Sequence, residues 1–313
     1  MKAYAIEGPD QPASLVNAPD PEVGIKDVLV AIRAASVNGF DAFQATGILT
    51  GMMEHRFPTV IGRDLAGVVE ATGPEVTDHA IGDQVFGFVP SVPPVSQGTF
   101  AERVSGSDLV LAPKPQELDF VQAAALPLAG VAALDLLDAA GVMEGDAVLI
   151  VGATGGVGHF AVQLAVKRGA TVIATATPDD EAFVRELGAT HVVDHTVGSV
   201  VTSVRDLYPD GVTTLIDLAS QGDALTEIGS IVRSGGRVVS LVGAADVDRF
   251  DALGVKAANV NATPTVEKLR LLANLVTTGE LKLVVQSVYS LDRIEEAFEA
   301  FRRDKRGKLV IQM

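Results

Sequence analysis

Residues Ala147 to Thr177 read AVLIVGATGGVGHFAVQLAVKRGATVIATAT. The run begins with Ala147 to Val151, apolar, rich in β-branched residues and too short for a helix. That is the signature of a strand buried on both faces of a parallel sheet. Gly152, Gly155, Gly156 and Gly158 follow at once. Phe160, Ala161, Leu164 and Ala165 then recur at helical spacing as far as Gly169, a natural helix stop. Thr171 to Thr175 reads as a second strand, so the whole is one βαβ unit. Glycine permits a sharp turn out of the strand and lets backbone approach a pyrophosphate. The helix that follows aims its unpaired N–H groups and positive dipole end at such an anion. The spacing is G-x-x-G-x-x-G, not the commoner G-x-G-x-x-G, yet strand, turn, helix and strand stand in the register of a dinucleotide site.

Composition sets the outer limits. A chain of 313 residues is long enough for about two domains with a sizeable core. Its formal net charge of −16 argues against nucleic-acid or anionic-membrane partners, so an anionic cofactor must be held by local backbone dipoles. Cysteine is absent, which removes disulfides, thiol catalysis and cysteine-ligated zinc together. The start, MKAYAIEGPDQPASL, carries no apolar signal core, and no uninterrupted apolar run is long enough to span a bilayer. A cytoplasmic location is the expectation.

Around the βαβ unit two textures alternate. Residues 1 to about 122 hold short runs bounded by Gly, Pro and Asp: Lys2 to Glu7, Val28 to Ala34, Leu65 to Ala71, Gln84 to Val89 and Phe100 to Val104. They predict a barrel-like or sandwich-like unit. Asn38 to Ala45 predicts a short helix, with Asn38 and Asp41 three apart as a cap and its reciprocal partner. From Phe120 helices and strands alternate. Phe120 to Ala140 reads as a buried helical region, and helices are expected near Asp180 to Leu187, Val197 to Leu207 and Ala224 to Val232. Strands are expected at His191 to Asp194, Thr213 to Leu218, Arg237 to Val242 and Val255 to Ala262. This alternation predicts an α/β fold with a doubly wound parallel sheet. Ligands of such sheets bind beyond the carboxyl ends of the strands, which nominates Gly152, Thr175, Asp194, Ala219 and Val242. The tail adds a helix (Thr265 to Thr277), a β-like run (Leu281 to Tyr289), a charged helix (Leu291 to Arg303) and a last strand (Lys308 to Gln312).

A series of motifs in fixed order resembles the zinc-free quinone oxidoreductases of the medium-chain dehydrogenase/reductase superfamily. They are ASVNGFD (Ala35 to Asp41), VIGRDLAGVVEATG (Val60 to Gly73), GDQVFGF (Gly82 to Phe88), ALPLAGVAALDLL (Ala125 to Leu137), GATGGVG (Gly152 to Gly158), RELGATHVVD (Arg185 to Asp194) and the end, GKLVIQM. The resemblance implies a GroES-like catalytic domain built from both ends of the chain, 1–122 and 260–313. A Rossmann dinucleotide-binding domain, 123–259, is inserted between them. It also implies hydride transfer from NADPH to a quinone or an α,β-unsaturated carbonyl, without metal, and a homodimer.

The resemblance carries over residue by residue. Asn38 matches an asparagine beside nicotinamide and substrate carbonyl; a helix cap is its equal alternative. Asp41 is expected to support that helix end, and Asp64 to be structural. Gly155, Gly156, Val157 and Gly158 match the pyrophosphate turn, and Thr154, Leu241, Gly243 and Arg303 complete the expected cofactor contacts. Two positions depart from the relatives. Ala132 stands where a threonine touches the nicotinamide. Gly47-Ile48-Leu49 supplies no tyrosine, leaving His55 as either a polar substitute or a loop residue. The second strand ends Thr175-Ala176-Thr177, hydroxyls suited to a 2′-phosphate, and His195 replaces a tyrosine that touches that phosphate. A strand-end surface role for His195 is the alternative. Against these, Asp179, Asp180 and Glu181 occupy the place of a lysine. NADPH is the expected nucleotide and NADH the less favoured one. A 2-alkenal or enoyl reductase and a nucleotide-binding redox sensor without turnover are the rival readings. A small hydrophobic carbonyl or quinone is the expected substrate in the first two.

Overall fold

All residues from 1 to 313 except Gly222 and Asp304 are described by a computed structural model of the chain. Its first part forms β1 (Lys2–Ile6), β2 (Ser14–Asn17), β3 (Val28–Ser36), α1 (Gly39–Gln44), β4 (Thr59–Val60), β5 (Asp64–Thr72), β6 (Gln84–Phe88), β7 (Arg103–Gly106), β8 (Val110–Pro113) and α2 (Phe120–Ala124). Alternation follows, with α3 (Pro127–Ala139), β9 (Ala147–Val151), α4 (Gly158–Lys167), β10 (Thr171–Ala176), α5 (Glu181–Glu186) and β11 (His191–Asp194). It continues through α6 (Val200–Leu207), β12 (Val212–Asp217), α7 (Ala224–Gly229), β13 (Val232–Ser240), α8 (Val247–Ala252) and β14 (Lys256–Asn259). The tail is α9 (Val266–Thr277), β15 (Val285–Ser290), α10 (Ile294–Arg302) and β16 (Lys308–Gln312). Two compact units result, Met1–Leu128 with Pro264–Met313, and Ala129–Thr263.

The first unit is a GroES-like β structure. Its larger sheet runs β15-β16-β3-β5-β6-β8, with β7 also on β3, and a smaller sheet runs β2-β1-β4. The last strand of the chain closes antiparallel onto β3, setting Val310 opposite Ser36. Alternate side chains of β3 and β5 face one core, in which Ile32, Leu65, Phe100, Phe298 and Ile311 pack together. Phe100 meets Phe298 edge-on, with ring centroids 5.9 Å apart.

The second unit is a six-stranded parallel sheet in the order β11-β10-β9-β12-β13-β14. Numbered along the unit that is 3-2-1-4-5-6, the Rossmann order, in which the first strand sits beside the fourth. β12 is buried along its whole length, as expected for a strand covered on both faces.

Several elements differ from expectation. The helical region from Phe120 is two helices, because Pro127 has no N–H to continue the first and instead opens the second. The strand read at Phe100 to Val104 starts only at Arg103; Phe100 is a core residue whose carbonyl accepts from the Tyr4 N–H at 2.8 Å. Strands β2, β4 and β8, of two to four residues, are too short for alternation to reveal. β13 begins earlier, at Val232, with a register irregularity against β12 before Arg237, while β15 begins later, at Val285.

Close backbone approach supplies a stability test. A Cβ at Gly87 on β6 would lie 1.9 Å from the Val110 carbonyl oxygen of the paired β8, whereas one at Gly51 meets nothing within 4 Å. Gly87→Ala is expected to cost about 1–3 kcal/mol or more in urea unfolding. Gly51→Ala should stay within about 0.5 kcal/mol of wild type.

Candidate active site

At the carboxyl end of β9 the chain turns on Gly152, whose φ of +84° suits glycine alone. The Gly155 N–H returns to the Gly152 carbonyl at 3.2 Å, and α4 starts at Gly158, where a Cβ would strike that same carbonyl at 2.2 Å. A Cβ at Gly155, in contrast, would meet only the Gly152 oxygen, at 3.6 Å. So the turn is tight at Gly158 and open at Gly155, with Thr154, Gly156 and Val157 partly exposed beside it. That is the form a pyrophosphate cradle requires.

Thr175, at the end of β10, is buried, and its Oγ1 accepts from the Gly152 N–H at 3.2 Å. Thr177 lies just past the end of β10 and is partly exposed. Thr177 in turn donates to Asp180 at 3.0 Å. His195 is exposed beyond β11, and its charge adds to the hydrogen bonds from Thr196 that lower the pKa of Asp194. Ala132 is buried in α3.

The ends of β12 and β13 carry a polar tie that sequence reading missed. Buried Asp217 accepts from the Ala219 and Ser220 N–H groups at 3.3 and 2.9 Å and from Ser240 Oγ at 2.8 Å. Ser240 Oγ accepts from the Val242 and Ala244 N–H groups at 3.3 and 3.2 Å. Two side chains thus shape both loops, and Leu241 follows on, its N–H bonded to the Asp217 carbonyl. A groove of about 520 Å³ opens there, lined by Ala219, Ser220, Gln221, Val242, Gly243 and Ala244. Ser220 Oγ is buried with no hydrogen-bond partner, as befits a group awaiting a ligand.

In the first unit Asn38 precedes α1, and its amide is fully oriented. Oδ1 accepts from Lys308 Nζ at 2.6 Å, while Nδ2 donates to Asp64 Oδ2 at 2.8 Å and to the Ser36 carbonyl at 3.4 Å. Asp64 Oδ2 also accepts from Ser36 Oγ at 2.6 Å, and Oδ1 accepts from the Leu128 N–H at 2.9 Å. Lys308, 2% exposed, sits 3.6 Å from Asp64. Asp41 Oδ2 accepts from the Asn38 N–H at 2.8 Å, and its Oδ1 is buried without a partner. Burial, and then the neighbouring Asp64, push Asp41 up to about 7 against the pull of Arg63, the Asn38 N–H and Lys308. Burial likewise lowers the Lys308 pKa, opposed by both aspartates.

Two expected residues lie apart from this cluster. His55 Nδ1 is 2.8 Å from the Met53 carbonyl oxygen, and its ring stacks on Phe57 in the loop that bridges to Val95. No hydrogen bond or ring contact among the described residues joins it to Asn38. Arg303 is exposed and lies 3.9 Å from Glu299. Arg63 and Lys308 were overlooked. The available signal was a charge inside otherwise apolar strand sequence, in VIGRDLAGVV and GKLVIQM.

A Rossmann sheet opened by a glycine turn, with a GroES-like unit whose polar cluster surrounds Asn38, defines an oxidoreductase of the medium-chain type. Residues 24–115 match the alcohol dehydrogenase GroES-like domain family, and residues 156–301 the zinc-binding dehydrogenase family. The chain is 31% identical to the 2-methylene-furan-3-one reductase of Solanum lycopersicum over 94% of its own length and 74% of that protein's. It is also 31% identical to the chloroplastic NADPH-dependent alkenal/one oxidoreductase of Arabidopsis thaliana, over 93% and 73%. The solved quinone oxidoreductase of Coxiella burnetii superposes with a TM-score of 0.90 at 31% identity, over 100% of this chain and 99% of that one. The chain belongs to the medium-chain dehydrogenase/reductase superfamily, among its quinone-oxidoreductase-like members.

The raised Asp41 has a measurable sign. Between its ordinary 3.8 and about 7, the folded chain keeps a proton that the unfolded chain has released. Folding therefore weakens as pH rises through that window and levels off above it. Asp41→Asn keeps the acceptor for the Asn38 N–H and removes the titration. Its thermal stability relative to wild type should improve by about 1–3 kcal/mol between acidic and mildly alkaline buffer. A constant difference would show that Asp41 is ionised throughout.

Proposed function

We propose that this protein is an NADPH-dependent, zinc-independent reductase that delivers hydride to a quinone or an α,β-unsaturated carbonyl. Residues 129–263 would serve as its nucleotide domain and the remainder as its substrate domain. The observation that carries the reading is the cradle at Gly152 to Gly158, open above Gly155; Gly152 lies against Ala219, one of the residues lining the groove at Ser220 and Gly243. Gly155, Gly156, Val157 and Gly158 would hold the pyrophosphate, and Ala219, Leu241, Val242 and Gly243 would flank the dinucleotide. When bound, NADPH supplies the hydride and the protein supplies position and polarity. Asn38, immobilised by Lys308 and Asp64, would orient the substrate side. The relatives' names support the substrate class: one is an alkenal/one oxidoreductase, one a furanone reductase, one a quinone oxidoreductase.

Zinc lacks a donor set. The chain has no cysteine, and among the described residues no group of three His, Asp or Glu is arranged to hold a metal ion. Asp64 is already engaged by Ser36, Asn38 and Leu128, with a lysine ammonium beside it.

For the nucleotide, a second reading has its own support. Thr177 and exposed His195 favour a 2′-phosphate, but Asp180 takes the Thr177 hydroxyl and sets a carboxylate at the same strand end. A free ribose hydroxyl, as in NADH, tolerates that neighbour better.

Two measurements test the site. Gly155→Asp has room for its Cβ but sets a carboxylate over the cradle; NADPH affinity should fall by about 100-fold, near 2.7 kcal/mol, with the melting temperature little changed. Undiminished binding would remove the cradle. Asp180→Ala should tighten NADPH by about 5–10-fold and leave NADH unaffected, since only the phosphate is repelled. Wild-type protein that binds NADH more tightly than NADPH would reverse the choice of nucleotide.

A further inference from the structure

Arg63 follows Gly62, whose φ of +103° turns the chain into β5. A Cβ at Gly62 would lie 2.5 Å from Thr99 Oγ1, so the turn leaves room for no other residue. The next residue, Asp64, is fully buried in the Asn38 cluster, while Arg63 keeps part of its surface exposed. Its guanidinium carbon lies 4.3 Å from the ring centroid of Phe40, in the first turn of α1, and 5.3 Å from that of Phe88. Nη1 donates to the Val89 carbonyl at 3.2 Å. Nε is buried and has no partner, and no carboxylate among the described residues forms an ion pair with the group. Asp41 and Asp64 are near enough to favour its charge but do not bond to it, and beside them Asp41 Oδ1 is orphaned as well.

A half-buried cation with unused donors is costly unless something completes it. Two aromatic rings fix the plane of the fork, so its free donors point in a set direction. A planar conjugated carbonyl is the matching acceptor. Its oxygen takes charge-assisted hydrogen bonds, and they strengthen as that oxygen becomes negative.

We propose that Arg63 is a catalytic residue: its guanidinium binds the substrate carbonyl oxygen and stabilises the oxyanion produced by reduction. This rests on the reductase reading above. In an enone, hydride brings two electrons to the β-carbon and forms a C–H bond. The C=C pair shifts to the bond between the α-carbon and the carbonyl carbon, and the C=O pair goes to oxygen as an enolate. A solvent proton then bonds to the α-carbon, giving the saturated carbonyl. The substrate is reduced by two electrons as NADPH becomes NADP⁺. A quinone gives a hydroquinone monoanion and takes one proton in the same way. In both, the negative oxygen faces Arg63, and no metal is required to receive it.

The test uses the full chain and p-nitrophenol, a probe whose phenolate imitates the enolate. Bound to wild-type protein, the probe should titrate at lower pH than when free, read from its absorbance. Arg63→Gln should bind the phenolate at least about 10-fold more weakly, with NADPH affinity within about twofold of wild type. Its kcat/KM with an enone or quinone should fall about 10²–10³-fold, and Arg63→Lys should recover part of that loss. A bound probe that titrates as it does free overturns the proposal, even if Arg63→Gln fails to fold. So does full turnover by Arg63→Gln. If wild type oxidises NADPH with no quinone or enone in a panel, the reductase reading itself fails.

Discussion

An ammonium group held almost wholly out of water is the constraint from which the Asn38 cluster follows. Lys308 has three hydrogens to place. The structure offers Asn38 Oδ1 and the Val37 carbonyl at 2.6 and 3.1 Å, with Asp64 at 3.6 Å. A buried cation without such partners would cost several kcal/mol. Matching it fixes everything nearby. The amide of Asn38 cannot flip, because its oxygen must face the cation and its nitrogen the carboxylate. Asp64 uses both oxygens, so it is not available for other chemistry. A second acid, Asp41, is driven toward its neutral form by its own burial and then by Asp64, with Lys308 opposing.

The carboxyl edge of the Rossmann sheet is tied by two hydroxyls and one carboxylate. Thr175 anchors the glycine turn from below, and Asp217 with Ser240 pins two loops at the ends of β12 and β13. Backbone N–H groups bound to these side chains are held in place by the sheet, and the groups left open are the glycine peptides and Ser220. If the proposed nucleotide binds at this edge, peptide geometry would hold it, which fits a chain whose overall charge is strongly negative.

What sequence could reveal tracks the range of each interaction. The glycine turn, α4 and the parallel strands follow from local periodicity and turn chemistry, and they lie where that reading put them. Thr175 shows a limit: its place at the strand end was legible, but its hydrogen bond from the Gly152 N–H, 23 residues back along the chain, was not. Asn38 was legible as a helix start and a candidate contact. Its real anchor, Lys308, is 270 residues away along the chain, and the charge in GKLVIQM does not say which residue it meets. Arg63 stood inside a recognised motif, yet its meaning comes from Phe40 and Phe88, which only folding brings to it. Among the four-residue strands, β11 was read from its place in the helix–strand alternation, whereas β8 has no such context and escaped.

The position of Lys308 has a bearing on biogenesis. During translation, Asn38 and Asp64 leave the ribosome long before their cation exists, and at 5–20 residues per second the wait is roughly 15–50 s. Through that interval the nascent GroES-like unit carries an unmatched carboxylate and an open edge on β3, where β16 has yet to dock. The inserted Rossmann unit, built from one continuous span, Ala129–Thr263, has been synthesised in full before then. Order of synthesis thus makes the whole Rossmann span available early and leaves the GroES-like unit dependent on the last strand to emerge.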